Sequence, residues 1–304
     1  MNLIKQVLSH DNMRAAWEEV AQKKGAAGVD GVTIKRWRRN WEENLYTLAG
    51  SVWANTYKPA SYRTFKLPKK SGGYRTISVL TVNDRVLQRA VLRIVDDFFD
   101  MGFFNCSYGY RQGRGLRDAI AHIIALRDSG YRNVLDADID DCFNNLDHNL
   151  IKHYFRQTVS DPILNRLVGQ WLRAGVKSPG DTRGICMGGV ISPLFCNLVL
   201  HQLDRAVSLM GWQIVRYADD FCIFCETAKE TQQAFTAIED ILAKLGLHFE
   251  PHKTRLTDFE EGFSFLGVTF LGDEYSFDSN MKHIIIKGPF DGSLFENYIP
   301  EGYD

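Results

Sequence analysis

No stretch of this 304-residue chain approaches the run of about twenty apolar residues that a membrane helix needs. The opening residues, Met1 to His10, carry no apolar run after Lys5, so no secretory leader is expected there. Internal repeats and low-complexity segments are also missing. The six cysteines (Cys106, Cys142, Cys186, Cys196, Cys222 and Cys225) are irregularly spaced and sit mostly in apolar contexts. They form no disulfide framework and read as reduced core thiols, which points to a cytoplasmic protein. Cys222 and Cys225 would face opposite sides of a strand, and no second Cys or His pair accompanies them, so a zinc site is not expected. Strands and helices do not alternate as βαβ units. An α+β chain is therefore expected, with an apolar share of 45%, ordinary for a globular protein and enough for a large core.

The net charge of −1 conceals an asymmetry. Residues 1–75 carry 14 Lys and Arg against 6 Asp and Glu, whereas the rest carries 22 against 31. The basic third includes Lys23, Lys24, Lys35, Arg36, Arg38 and Arg39. Such a face suits the phosphates of a nucleic acid, although a solvated helix face has the same composition.

The acids hold the sharper signal. Tyr217-Ala218-Asp219-Asp220 lies between two apolar runs, Gln213 to Tyr217 and Phe221 to Cys225, which read as a β-hairpin with adjacent acids at its tip. Adjacent carboxylates repel, and a divalent cation removes that cost. About eighty residues earlier, Leu135, Ala137 and Ile139 alternate with Asp136 and Asp138, as in a half-buried strand. A carboxylate at the end of that strand can meet the hairpin pair across a sheet. Three carboxylates suit Mg²⁺, which takes oxygen ligands and shares them with substrate phosphates. Two such ions about 4 Å apart clamp the attacking and leaving oxygens of a phosphoryl transfer.

Hydrophobic spacing and caps predict helices over 1–24, 33–54, 81–100, 113–129, 147–174, 192–209 and 228–245. Short strands are expected at 57–80 around a glycine turn at 69–73, and from 247 to about 287. Residues 184–189 form a glycine-rich loop.

Taken together, these segments resemble a reverse transcriptase of the bacterial group II intron-like lineage, from about Gly25 to Phe270. The matching blocks are Gly28-Val-Asp-Gly31, Leu67-Pro-Lys69 with Arg75, Asp84 to Gln88, Ser107 to Arg114, Asp138 to His148, Gly184 to Leu194, Glu250 to Thr254 and Gly262 to Gly267. The resemblance implies a right-hand polymerase with fingers and palm, the palm's antiparallel sheet carrying the metal site, and a short or absent thumb. It divides the chain into an N-terminal helical extension (1–56), fingers (57–132), and palm (133–270, with 147–183 contributing to the fingers). A short acidic C-terminal tail (271–304) completes it.

The roles implied by the resemblance are specific. Asp138, Asp219 and Asp220 hold two Mg²⁺ ions, for which Mn²⁺ can substitute, with the Ile139 carbonyl as a further ligand. Lys69 and Arg75 grip the incoming triphosphate, assisted by Arg111. Phe143 stands against the sugar 2′ position, and the alternative for it is a core ring. Met187 and Gly188 face the nucleotide pair. Lys253 is placed to protonate pyrophosphate, the alternative being a plain phosphate-facing lysine. Phe265, Leu266 and Gly267 support the primer end.

Two departures stand out. The family loop Gly-x-Pro-Gln-Gly reads Gly184-Ile-Cys186-Met187-Gly188 here, replacing an amide with a thioether that has no comparable hydrogen bond. After the palm, residues 271–304 carry seven acids and two lysines, too short for a helical thumb and too acidic to track a duplex. The expected activity is RNA-directed DNA synthesis from dNTPs on a structured non-coding RNA, in an anti-phage defence system. The alternatives are a CRISPR-associated enzyme, a maturase-like RNA-binding protein, and a polymerase with repetitive or untemplated synthesis. A partner protein or a second copy of the chain could replace the thumb.

Overall fold

The computed structural model describes residues 2–68, 74–176, 178, 180–279, 282–295 and 298. The first helices are α1 (Leu3–Val7), α2 (His10–Gln22), α3 (Ile34–Arg38) and α4 (Trp41–Trp53). A hairpin of β1 (Arg63–Pro68) and β2 (Tyr74–Val79) precedes α5 (Val82–Asp100), α6 (Leu116–Asp128) and β3 (Asn133–Ala137). Next come α7 (Cys142–Asn145), α8 (His148–Thr158), α9 (Pro162–Ala174) and α10 (Ser192–Leu209). They lead into β4 (Gln213–Tyr217), β5 (Asp220–Cys225) and α11 (Ala228–Leu245). The chain continues through β6 (Arg255–Asp258), β7 (Phe263–Phe265), β8 (Val268–Leu271), β9 (Glu274–Ser279) and β10 (Lys282–Lys287), then a 3-10 turn at Gly292–Phe295.

Local chemistry explains most boundaries. Ser9, Thr33, Thr81 and Thr227 each accept a backbone N–H at a helix start, and Asp161 does so just before Pro162 at the first helical position. Gly246, at φ 73°, ends α11 in the left-handed region that glycine adopts without strain.

The chain divides into two compact units, each assembled from two stretches: 1–102 with 143–199, and 103–142 with 200–304. Residues 1–56 lie within the first unit, and 103–132 lie with the strands of the second.

In the first unit α1 and α2 pack on α5, and α8 packs on α9. Val86, Leu87, Ala90, Val91 and Val95 form the buried stripe of α5, but Phe99 rather than Phe98 closes it. The buried Asp84 carboxylate accepts from the Tyr57 hydroxyl at 2.6 Å, the Thr81 hydroxyl at 2.6 Å and the Ala60 N–H at 3.3 Å. Trp171 Nε1 donates to the same Tyr57 oxygen at 2.9 Å. The glycine loop is pinned from two sides. Ser78 N–H donates to the Met187 carbonyl at 2.8 Å, and His148 Nε2 meets the Gly184 carbonyl at 2.7 Å. At Gly188 (φ 96°) a Cβ would stand 2.7 Å from the Ser78 carbonyl, so the loop approaches β2 too closely for any side chain.

The second unit holds two four-stranded antiparallel sheets, ordered β4-β5-β3-β6 and β10-β9-β8-β7. Helix α11 packs on β3, β5 and β6, and α6 on β4. An aromatic core joins Phe224 and Phe259 to Phe263, Phe270, Tyr275, Phe277 and Phe295. Strands were expected to about 287, and residues 274–279 and 282–287 form them; Phe295, beyond them, is buried in the same core. Aromatic burial at alternate positions of β9 outweighs the local acidity.

Burial holds His148 below the usual histidine range, outweighing its hydrogen bond to Gly184. The unfolded chain, with histidine near 6.5, then takes up its proton first as pH falls, so the His148 contribution to stability is present above about 6.5 and lost below it. His148→Gln keeps a donor toward Gly184 without titrating. Between pH 7.5 and 5.5 it should lose less unfolding free energy than the wild type, by up to about 1 kcal/mol in urea titrations.

Candidate active site

Three carboxylates meet in the second unit. Asp220 opens β5 opposite Tyr217, the last residue of β4, so Ala218 and Asp219 form a two-residue turn. Strand β3 runs antiparallel to β5 with Ala137 opposite Phe221, which brings Asp138 out beside Asp220. The two side chains lie within hydrogen-bonding reach. Alternation along β3 is as expected: Leu135, Ala137 and Ile139 are buried, Asp136 and Asp138 only partly so. Asp136 turns to another partner, Arg255 on β6, at 3.2 Å. Beyond β3, Asp140 N–H donates to the His248 carbonyl and Glu250 N–H to the Asp138 carbonyl, with Ile139 bridging Phe249.

The electrostatics follow from crowding. Burial and then the charge of Asp138 raise Asp219 above the usual carboxylate range. Burial, followed by the charges of Asp138 and Asp219, lifts Asp220 well above it. Lys253 lies on the turn after Glu250, and its ammonium donates to Asp138 Oδ2. Burial pulls Lys253 down, but the Asp138 hydrogen bond and the three acidic charges outweigh it and leave its pKa raised. Among the described residues no three His, Cys, Asp or Glu side chains stand in an arrangement that would close on an ion. Here the Lys253 ammonium pairs with Asp138, and its charge works against the upward shifts of Asp219 and Asp220. The donor chemistry does suit a hard divalent cation: three carboxylates, all oxygen, whose mutual repulsion a cation relieves.

The turn itself rests on a buried ion pair. Arg216 and Asp204 are both 0% exposed; Arg216 Nε donates to Asp204 Oδ1 at 2.7 Å and its Nη2 to Oδ2 at 2.6 Å. Nη2 also donates to Ser107 Oγ at 2.8 Å, and Nη1 to the Ala218 carbonyl at 2.9 Å. Ala218 is buried at φ 58°, a left-handed conformation that costs a non-glycine residue roughly 1–2 kcal/mol. Residues 106–109 strap along β4: Arg216 N–H donates to the Cys106 carbonyl and Tyr108 N–H to the Arg216 carbonyl. A Cβ at Gly109 would lie 2.5 Å from the Ala218 nitrogen.

The remaining expected site residues divide. Arg111 is buried, and its guanidinium donates to the carbonyls of Phe104 (2.6 Å) and Ser107 (3.0 Å), which braces the strap. Phe265 and Leu266 are buried in the aromatic core. Leu266 and Gly267 form the β7–β8 turn, both with positive φ, and Gly267 is exposed. In the first unit Phe143 and Met187 are half-buried and Gly188 is exposed. Lys69 lies outside the described residues. Of Arg75 only the backbone is described, paired with Leu67. Sequence reasoning missed Arg216, Asp204 and Ser107. The available signal was one arginine inside the apolar strand run and one aspartate between Leu203 and Val207 of an apolar helix.

Residues 67–270 match the sequence model of a family described as reverse transcriptase (RNA-dependent DNA polymerase). Protein YkfC of Escherichia coli strain K12 is 28% identical over 283 residues, 79% of this chain and 74% of that protein. The group II intron-encoded protein LtrA of Lactococcus lactis subsp. cremoris is 28% identical over 210 residues. That match covers 67% of this chain, which spans only 35% of LtrA. Among solved structures, apo telomerase from Candida tropicalis superposes with a TM-score of 0.58 at 13% identity, over 79% of this chain and 54% of that one. That likeness is one of fold.

The close approach at Gly109 is testable. Gly109→Ala forces backbone against backbone, so it should lower unfolding free energy by about 1–3 kcal/mol in urea titrations. Wild-type stability would mean that the strap yields freely.

Proposed function

The chain belongs to the reverse transcriptase family, and from that premise we propose that it synthesises DNA on an RNA template, with Asp138, Asp219 and Asp220 as its catalytic carboxylates. The observation that carries this reading is their convergence at the ends of β3 and the β4–β5 hairpin, with Asp138 and Asp220 in hydrogen-bonding reach. Three half-buried like charges are costly to assemble, and a fold without use for them would not gather them at one edge. Two hard divalent cations are the proposed cofactor, supplying charge neutralisation to the attacking and leaving oxygens when bound. The residues' own part is to hold their oxygens in place before the substrate arrives. Lys253, its pKa raised, enters neutral solution as an ammonium and offers a proton beside Asp138.

We assign template binding to the basic N-terminal residues. Lys35, Arg36, Arg38 and Arg39 are exposed on and beside α3, while Trp37 anchors the helix through Nε1 to Asn83 Oδ1 at 2.7 Å. Fixed cations on a short anchored helix meet a phosphate backbone without ordering a loop.

Two measurements test the proposal. Asp219→Asn should melt like the wild type or higher, since it removes a crowded charge, yet lower Mg²⁺-dependent dNTP incorporation on a primed RNA by at least about 100-fold. Retained synthesis would remove Asp219 from the site. Replacing Lys35, Arg36, Arg38 and Arg39 by alanine should weaken RNA binding and flatten the dependence of log K on log salt by about 3, near 0.7 per lost single-strand contact. An unchanged slope would place the RNA elsewhere.

A further inference from the structure

The buried pair of Arg216 and Asp204 lies outside the carboxylate group, yet one arm of it ends on the carboxylates' own turn. We propose that Arg216 is a positioning residue for the active site: held by Asp204 and Ser107, it fixes the Ala218 carbonyl and so sets the left-handed turn that presents Asp219 and Asp220 to Asp138. The inference rests on the polymerase reading of that site and adds to it a residue that touches neither substrate nor the reacting atoms.

Four observations carry it. First, both members of the pair are fully buried, and burying two charges seldom adds stability over apolar residues of the same shape. A stability role alone therefore explains the pair poorly. Second, its orientation is over-determined. Asp204 takes Nε and Nη2 in a bidentate fork, Ser107 Oγ takes Nη2 again, and the guanidinium so held directs Nη1 at the turn. Third, that target is the carbonyl of Ala218, the one residue of the two-residue turn with positive φ. A buried carbonyl in a conformation alanine disfavours needs a fixed donor, or the turn relaxes. Fourth, the strap confines the turn from the other side, because Gly109 leaves no room for a side chain against Ala218. The two restraints act on the two peptides that flank the Ala218 Cα, and Asp219 and Asp220 follow directly. A lysine has the charge of Arg216 but not the fork, so it cannot satisfy Asp204 with two nitrogens and reach Ala218 with a third.

The test compares full-length wild type, Arg216→Lys and Ser107→Ala by thermal melting, RNA–primer binding, Mn²⁺ titration followed by the EPR signal of free Mn²⁺, and steady-state dNTP incorporation. For Arg216→Lys we expect wild-type RNA binding, Mn²⁺ affinity weaker by about 10-fold, and kcat lower by about 30-fold, beyond any change in melting. A purely structural role would move melting and leave the Mn²⁺ affinity and kcat of the folded fraction unchanged, which would overturn the proposal. If Arg216→Lys does not fold, Ser107→Ala decides. It removes one hydrogen bond from a small buried side chain, and kcat should fall by about 3-fold with Mn²⁺ affinity falling alongside; unchanged values overturn the proposal. If wild type makes no DNA but the variants still weaken Mn²⁺ binding, the polymerase reading fails and the positioning role stands. If wild type polymerises and the variants match it, the positioning role fails alone. Wild type that binds no Mn²⁺ overturns both.

Discussion

The register of β3 against β5 is the constraint on which the candidate site depends. With Ala137 opposite Phe221, Asp138 leaves the strand beside Asp220 and on the same side of the sheet. A slip of one residue would turn Asp138 into the core and bring Ala137 or Ile139 to the acids. The register is held by what lies behind it. Val134, Leu135, Ala137 and Ile139 on one strand, and Phe221 to Cys225 on its neighbour, are all buried, so any slip exposes apolar side chains. The apolar core thus supplies the free energy that holds three like charges at one edge.

A second layer of control is polar and long-range. Arg216, Asp204 and Ser107 come from three separate parts of the chain, yet four hydrogen bonds among them and Ala218 close a network around one turn. The first unit has a counterpart in Asp84, whose carboxylate gathers Tyr57, Thr81 and Ala60. Burial raises Asp84 above the usual carboxylate range, with the Thr81 and Tyr57 hydrogen bonds working against that. Each network buries a carboxylate and answers it with aimed donors, which is the condition under which buried polar groups add rigidity rather than cost stability. Arg111 belongs to the same logic. Its guanidinium donates to two carbonyls of the loop that carries it.

The C-terminal strands show how charge counting misleads. Residues 271–304 carry a surplus of acid, and that surplus suggested a short acidic tail, although strands were expected to about 287. In the fold, Tyr275 and Phe277 point inward between Glu274, Ser276 and Asp278, so acids and aromatics occupy opposite faces of β9. Phe290 and Phe295 then stack on Tyr275. The period-two pattern was present in the sequence; net charge is the sum over both faces and erases it.

The sequence by itself determined the element types and many of their ends, because caps such as Thr81 and Gly246 act within one helical turn, whereas the helix expected over 147–174 breaks in two before the cap Asp161. It also determined the hairpin that carries Asp219 and Asp220, and the alternation that exposes Asp138, since both follow from side chains a few residues apart. Tertiary structure alone decided the partners. Nothing local tells Arg216 to find Asp204, turns Asp136 toward Arg255 while Asp138 takes Lys253, or separates Phe98 from Phe99 on α5. The physical reason is range. Propensity, capping and periodicity act over a few residues, whereas partners 12 residues apart (Arg216 and Asp204) or 115 and 119 apart (Asp138 and Lys253, Asp136 and Arg255) are chosen only when packing brings their backbones together.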